Sequence, residues 1–356
     1  MGHSTKHIQN RLLAGLRRLY RPIGFTKGYN FALWLILGGA FVGFSLARLK
    51  YLDFRGDLCP KPPMKGPGGA VPGECYYFEN TIGRAGIMMH LAGILPAAIL
   101  VVFQFLPAIR YRFLKFHRIN GSVIILLSIV SIIGVMMIAK QTFGGTLDMQ
   151  AATGAASVIF LVCQGLGYYN IKKLQIEQHR AWMLRGWIIA GFIITMRIIS
   201  ITMAMITRSM DPYYSVGSCA AVDYMYFHNR TTVEALYPDC ASFYNGDDPD
   251  QRILIKGDFT APRPEQKASG LNVTFGASAW LALAIHCIAV EIYLRLTPAE
   301  AERLRRVSYQ RQLEAGMKNP GNAGLTAQRL GDAEPWVYAD DAGSVCMQAS
   351  PEMDRD

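Results

Sequence analysis

The chain has little charge for its length. Asp, Glu, Lys and Arg make up 17% of its 356 residues, whereas apolar residues make up 51%. Several stretches carry almost no charge over about twenty residues, the length at which a helix crosses about 30 Å of hydrocarbon. Soluble domains do not suit this composition, so an all-α, polytopic bundle of about six transmembrane helices is predicted. The predicted spans are Phe31 to Leu49, Ile87 to Leu106, Gly121 to Ile138, Ala151 to Tyr169, Ile188 to Ile206 and Phe275 to Leu294.

Common catalytic motifs are missing as well. There is no Walker loop, no GxGxxG before a helix, no HExxH and no GxSxG. Nor is there a DDxxD-type motif, with which prenyltransferases hold magnesium and diphosphate. Asp247, Asp248 and Asp250 resemble it in composition but belong to a polar loop. Diphosphate chemistry is therefore disfavoured, and no metal site is expected.

The formal net charge of +10 arises from short basic clusters beside the apolar segments. Residues 1–30 and the loop 110–118 contain no Asp or Glu. Such basic flanks are typical of cytosolic segments in membrane proteins and not of a nucleic-acid-binding face. We therefore expect a lipid bilayer and no nucleic acid as partner. The expected organisation is a basic cytosolic N-terminus (1–30), a six-helix domain (31–296) with lumenal loops 51–84 and 208–272, and a partly disordered cytosolic tail (297–356).

Two other features fall on the predicted lumenal side. Asn229 and Asn272 begin glycosylation sequons, although Asn272 is close to a predicted span. Cysteines on this side meet an oxidising compartment. Four of them allow three pairings, of which one joins cysteines within each loop. The four are Cys59, Cys75, Cys219 and Cys240. The agreement with the charge pattern favours an endomembrane glycoprotein, for example of the endoplasmic reticulum.

Ionisable groups inside predicted spans are the first candidates for function, since a charge in hydrocarbon needs a partner or a wet cavity. His90 lies in the second span, and His286 and Glu291 lie in the sixth. Arg197 is near the middle of the fifth span, so it cannot reach either surface and needs a buried acceptor or a ligand. These four residues are the predicted catalytic candidates.

His-Arg pairs mark two predicted cytosolic edges: His117 with Arg118, and His179 with Arg180. Such pairs often only anchor helix ends among lipid headgroups. Two imidazoles at equal depth on facing helices also suit bis-histidine haem ligation. A haem-binding, cytochrome b-like redox protein using His117 and His179 is therefore the alternative hypothesis, with His90 and His286 as a poorer second pair.

The central block resembles a widespread, uncharacterised membrane family with an early helical histidine, HRxxG, HRxWMxR and an arginine in the next helix. This sequence supplies His90, His117 to Gly121, His179 to Arg185 with Trp182 between them, and Arg197. With the start from Pro22 to Arg48, the chain is similar to fungal integral membrane terpene cyclases of meroterpenoid pathways of the ascofuranone, ascochlorin and macrophorin type.

That resemblance implies a metal- and cofactor-independent cyclase, of isomerase or lyase type, in secondary metabolism. Its substrate is a hydrophobic prenylated intermediate that is cyclised after protonation. Such chemistry needs an acid in a dry cavity and groups that stabilise cationic charge. The candidate acids are Glu291, Asp148, Glu79 and a protonated His90 or His286. Arg197 would orient a polar headgroup.

Overall fold

The computed structural model describes residues 15, 17–60, 71–210, 212–334 and 336–338. Six helical segments in this part of the chain are long and apolar enough to cross a membrane. The all-α, six-span prediction is therefore confirmed, and the chain is an integral membrane protein. The elements are α1 (Gly28–Arg48), α2 (Glu74–Phe78), α3 (Thr81–Gln104), α4 (Pro107–Arg112), α5 (Leu114–Ile138), α6 (Leu147–Lys172), α7 (Ile176–Ala190), α8 (Phe192–Thr207), β1 (Tyr214–Ser218), α9 (Cys219–Met225), α10 (Arg230–Leu236), α11 (Ala241–Asn245), β2 (Arg252–Lys256), α12 (Pro264–Arg295) and α13 (Pro298–Glu314).

The fifth span differs from its predicted bounds. It is the pair α7 and α8, so helix begins at Ile176 and continues, across Gly191, to Thr207. The HRxWMxR motif lies before the predicted start of this span at Ile188, and it is helical as well. Polar side chains such as Arg180 and Arg185 lower the hydropathy of α7, but they are held by neighbouring side chains within the protein.

Spans two and three (α3 and α5) pack with their backbones close together. A Cβ atom at Gly93 would lie 2.5 Å from the carbonyl oxygen of Leu127, and one at Gly134 would lie 2.5 Å from that of Gly86. Helices that cannot gain from the hydrophobic effect in lipid associate through such small residues. These glycines therefore fix the distance between the two spans.

The structure divides into two compact units. The first comprises Met1–Ser157 and Gly191–Leu283, and the second Val158–Ala190 and Ala284–Asp356, each to the extent described. The first unit has a core at Met149, Met196 and Phe275, to which Val71 of the first long loop also belongs. Val71 therefore packs among the spans.

The described parts of loops 49–80, 139–146 and 208–263 follow the first, third and fifth spans, so six crossings put them on one side of the membrane. We call this the disulfide side. Cys59 is bonded to Cys75 and Cys219 to Cys240, with Cα atoms 5.5 and 5.6 Å apart. An antiparallel pair of strands, β1 and β2, completes the loop 208–263. Two small substructures on this side are thus covalently tied.

The second unit contains the start of the tail. Ser308 of α13 accepts a hydrogen bond from the backbone N–H of Ile176 (2.8 Å) and donates to the buried carboxylate of Glu177 (2.6 Å). Gln312 donates to the carbonyl oxygen of Lys173 (2.9 Å). Residues 298–334 are therefore held against α7 and its preceding turn. Residues 1–14, 16, 61–70, 211, 335 and 339–356 lie outside the described residues, so disorder at the end of the tail stays a prediction.

Candidate functional site

The centre of the candidate site is Arg197, on α8 in the first unit. Its guanidinium lies over the rings of Phe143 and Phe44, 5.1 and 5.6 Å from their centroids. Its Nε is buried and has no hydrogen-bond partner among the described residues. The sequence predicted that Arg197 cannot reach the membrane surface, and the structure shows its guanidinium over aromatic rings instead. Each such cation–π interaction stabilises the cation by about 0.5 to 2 kcal/mol.

A second arginine shares one of these rings. The Arg48 guanidinium lies 4.9 Å from the centroid of Phe44 and 5.7 Å from that of Tyr51. Its Nε is also buried without a partner in the described part of the chain. Arg48 and Arg197 are close enough to repel one another electrostatically. Two cations therefore meet at one phenyl ring.

The facing acid is Glu74, on the short helix α2 of the first loop. Its carboxylate accepts a hydrogen bond from the backbone N–H of Val71 at 3.3 Å and another from that of Phe143. Burial raises the pKa of Glu74, whereas Arg197 and these two N–H groups act to lower it. Burial thus favours the protonated acid at rest, and the nearby cation stabilises the anion that remains after proton loss.

Local sequence explains how Glu74 reaches this position. Gly73, with φ of 85°, turns the chain immediately before α2, and such a left-handed residue is usually glycine. Cys75 then ties α2 to Cys59. Phe143 lies in a turn where it and the next two glycines all have positive φ. Its backbone thus contacts Glu74 and its ring contacts Arg197.

His90 is the third candidate in this unit. Its Nδ1 lies 2.9 Å from the hydroxyl of Ser131. This contact crosses the interface of α3 and α5 at Gly86, Gly93 and Gly134, which we call the glycine seam. Arg197 acts on it electrostatically. A neutral imidazole with one nitrogen held by Ser131 has its other nitrogen available to take up a proton. Among the described residues, Arg197 thus interacts electrostatically with both Glu74 and His90, and these three residues are the candidate site of the first unit.

His286 and Glu291 lie in the second unit. The Glu291 carboxylate accepts hydrogen bonds from Arg185 at 2.6 and 3.1 Å. A carboxylate engaged by guanidinium in this way acts as an acceptor, which does not suit a proton donor. His286 Nδ1 donates to the carbonyl oxygen of Ile188. The two residues were grouped with His90 and Arg197 by sequence, but their local contacts join helices of the second unit.

Two other candidate acids also have different surroundings. Glu79 is exposed and forms a bidentate ion pair with Arg55, at 2.6 and 2.9 Å. Asp148 is exposed on α6, and its backbone carbonyl accepts from the indole of Trp280. Neither is buried as an acid with a retained proton would need to be.

The HRxWMxR residues form hydrogen bonds between helices of the second unit. His179 Nδ1 donates to the carbonyl oxygen of Gly167 (2.8 Å), and Arg180 donates to the hydroxyl of Tyr293 (3.1 Å). Trp182 packs on the guanidinium of Arg185 at 4.7 Å. These contacts assign the motif a packing role, since they tie α7 to α6 and α12.

The HRxxG residues similarly tie α5 to α3 in the first unit. Asn120 donates to the carbonyl oxygen of Leu100 (3.2 Å), and Gln104 donates to that of His117 (2.9 Å). The proposed haem ligands His117 and His179 belong to different units, so their pairing stays a prediction. Across the described residues, no group of three or more His, Cys, Asp or Glu has the arrangement of a metal site.

The two sequons differ in geometry. Asn229 is exposed at the start of α10, where its side chain accepts from the backbone N–H of Thr232. Asn272 lies within α12, and the hydroxyl of its sequon residue Thr274 is buried against Ser200 at 2.9 Å. Only Asn229 has the accessible geometry that glycosylation needs.

Comparison with known proteins agrees with a membrane protein. Residues 87–227 match the family model "Predicted membrane protein (DUF2306)". The chain is also similar to "Ava biosynthesis cluster protein G" of Aspergillus versicolor, with 22% identity over 346 residues, covering 84% of this chain and 98% of that protein. No solved structure matches the chain. The family match includes His90 and Arg197, whereas Glu74 and Phe44 precede it.

Sequence reasoning missed Glu74 and Arg48. Glu74 follows a Gly- and Pro-rich stretch that looks like solvent-exposed loop, and Arg48 looks like a basic flank at the end of a span. The available signal for Glu74 was its neighbour Cys75, because a disulfide next to an acid indicates that the acid belongs to a fixed substructure.

Proposed function

We propose that the chain is an integral membrane enzyme of fungal secondary metabolism that cyclises a prenylated substrate after protonating it. The observation that carries the proposal is the position of Glu74, a half-buried carboxyl group that interacts electrostatically with Arg197, whose guanidinium lies over the Phe143 ring. The similarity to a biosynthesis cluster protein supports the role in secondary metabolism. The resemblance to terpene cyclases supports the reaction class.

Glu74 is the proposed proton donor, in place of Glu291. Its proton passes to a terminal alkene carbon or to an epoxide oxygen, and the electron pair of a neighbouring alkene closes the ring. In the epoxide case the C–O bond breaks and the oxygen becomes a hydroxyl group. A carbon next to the final cation then loses a proton to His90. Substrate and product are therefore isomers.

Arg48 and Arg197 together carry more positive charge than the carboxyl group of Glu74 can compensate. A polar head such as a phenol or an aryl carboxylate would compensate them, since charged groups in low dielectric need a partner. We therefore propose that the substrate combines an acidic head with a prenyl chain. Phe275, whose ring centroid lies 4.9 Å from that of Phe143, and Phe192, which packs against the same core, are the rings proposed to face the prenyl chain.

The test is conversion by membranes that contain the protein. They are incubated with a farnesylated phenol and with its terminal epoxide, and products of unchanged mass are separated by liquid chromatography with mass spectrometry. We expect Glu74→Gln to lower product formation by a factor of about 100 or more, as is typical for loss of a general acid. If the wild-type protein converts neither compound, the proposed reaction is wrong for this substrate class.

Glu79→Gln is the matched control. Glu79 is on the same loop, five positions after Glu74 in the sequence, but it is exposed and paired with Arg55. We expect this variant to retain wild-type conversion and wild-type amounts in membranes. If both variants lost conversion equally, the loop would need only its negative charge, and the assignment of Glu74 as proton donor would fail.

The topology is part of the proposal. We propose cytosolic N- and C-termini and a lumenal disulfide side in an endomembrane, supported by the two disulfides and by the acid-free basic segments 1–30 and 110–118. The glycosylation of Asn229 tests it.

A further inference from the structure

A polar cavity of about 400 Å³ lies on the disulfide side, in the first unit. Its wall contains two cations, Lys140 and Arg252, and four neutral polar side chains. These are Tyr77, Gln141, Gln150 and Ser218. No lining residue among those described is acidic. The cavity therefore presents positive charge and hydrogen-bond donors.

Neither cation has a counter-ion in the described part of the chain. Two acids of the disulfide side are paired with other groups: Glu79 with Arg55, and Asp223 with His228 at 2.6 Å. Because like charges at one wall repel, two unpaired cations favour an anion between them. Arg252 also acts electrostatically on Tyr77, whose hydroxyl is hydrogen-bonded to Ser218.

The wall is built from fixed elements. Tyr77 is on α2, which is tied by the bond between Cys59 and Cys75. Arg252 is opposite Ser218 in the register of β1 and β2. Ser218 directly precedes Cys219, which is disulfide-bonded. Lys140 follows the end of α5. Groups held on such elements need little reorganisation to bind a ligand.

The turn at residues 141–145 completes the wall. Gln150 Nε2 donates to the carbonyl oxygen of Gly145 at 2.7 Å and holds the turn closed. A Cβ atom at Gly144 would approach the side chain of Asn272 to 2.8 Å. The glycines therefore let the chain pass closely enough for Gln141 and Lys140 to face the same cavity.

From these observations we propose that the cavity binds a small oxyanion, a carboxylate or a phosphate group, through Lys140 and Arg252. This site is separate from the proposed chemistry at Glu74 and does not depend on it. Charge-assisted hydrogen bonds to oxyanions are about twice as strong as neutral ones, and the neutral donors of the wall add directional contacts. The anion is either a free metabolite or the headgroup of a lipid.

The experiment measures binding of radioactive inorganic phosphate to the full chain in phosphatidylcholine nanodiscs at low salt. We expect saturable binding, weakened about tenfold or more in Lys140→Gln and in Arg252→Gln, in line with loss of one charged contact. The control is Lys256→Gln, an exposed cation on the same strand as Arg252 but not in the cavity wall. It should bind phosphate as the wild type does.

Two outcomes would overturn the proposal: no saturable binding by the wild-type protein, or equal weakening in the control variant. A second arm identifies the source of the anion. Nanodiscs with added phosphatidylinositol will displace phosphate if the cavity takes a lipid headgroup, whereas benzoate or citrate in solution will displace it if the cavity takes a free anion. Displacement of phosphate by either compound supports the site. The displacement must be absent in Arg252→Gln.

Discussion

The effect of Arg197 on Glu74 gives the sharpest prediction. Arg197→Gln removes the cation that lowers the pKa of Glu74, so burial acts with less opposition and this pKa rises. No direct ion pair joins the two side chains among the described contacts, so Arg197 acts on the pKa of Glu74 through its charge alone.

The sign follows from the role of the acid. Glu74 must be protonated to donate, so conversion is present below its pKa and is lost as the pH rises through it. In Arg197→Gln the alkaline limb of the pH profile should therefore move to higher pH. The plateau should fall about tenfold or more, because the remaining carboxylate is less stabilised and the acid is weaker.

The assay is conversion of the farnesylated phenol epoxide between pH 5 and pH 10, in membranes with matched protein content. Arg197→Lys is the control, since it keeps a cation at this depth and should keep the position of the alkaline limb. A plateau that falls in Arg197→Gln without movement of the limb would refute the coupling and leave Arg197 as a headgroup ligand only.

Three further measurements address other parts of the molecule. Asn229→Gln should remove the endoglycosidase-sensitive mass, whereas Asn272→Gln should not; an unchanged mass for the first variant would contradict the lumenal assignment of this loop. Oxidised and dithionite-reduced optical spectra of purified protein should be featureless above the protein bands. Stoichiometric haem bands that disappear in His179→Ala would establish the redox alternative. Ser308→Ala should lower the free energy of unfolding by about 2 kcal/mol, since Glu177 loses a buried donor; an unchanged melting temperature would show that this contact contributes no stability.

Hydropathy alone was enough to predict the spans, because hydrocarbon imposes length and composition on every crossing helix. It failed at α7, where Arg180 and Arg185 are satisfied by Tyr293 and Glu291. Those partners are over a hundred residues away in the chain. Hydropathy averaged over a short stretch of sequence does not include such long-range contacts. The predicted span was therefore shorter than the observed helix.

The candidate site was half predictable. Arg197 and His90 stand out because ionisable residues are expensive in a span. Glu74 and Phe143 do not, since their positions depend on a disulfide and on a turn with successive left-handed residues. Both features are set by tertiary structure. The sequence therefore indicated which residues needed partners, while the fold determined the partners.

The glycine seam between α3 and α5 has a consequence for biogenesis. Two adjacent spans joined by a short connection, with backbones this close, form a helical hairpin that is complete before the later spans are synthesised. The contact between His90 and Ser131 is internal to that hairpin. We expect a chain truncated after α5 to insert with this contact already formed. The later spans would then assemble around a His90 side chain whose position is already fixed.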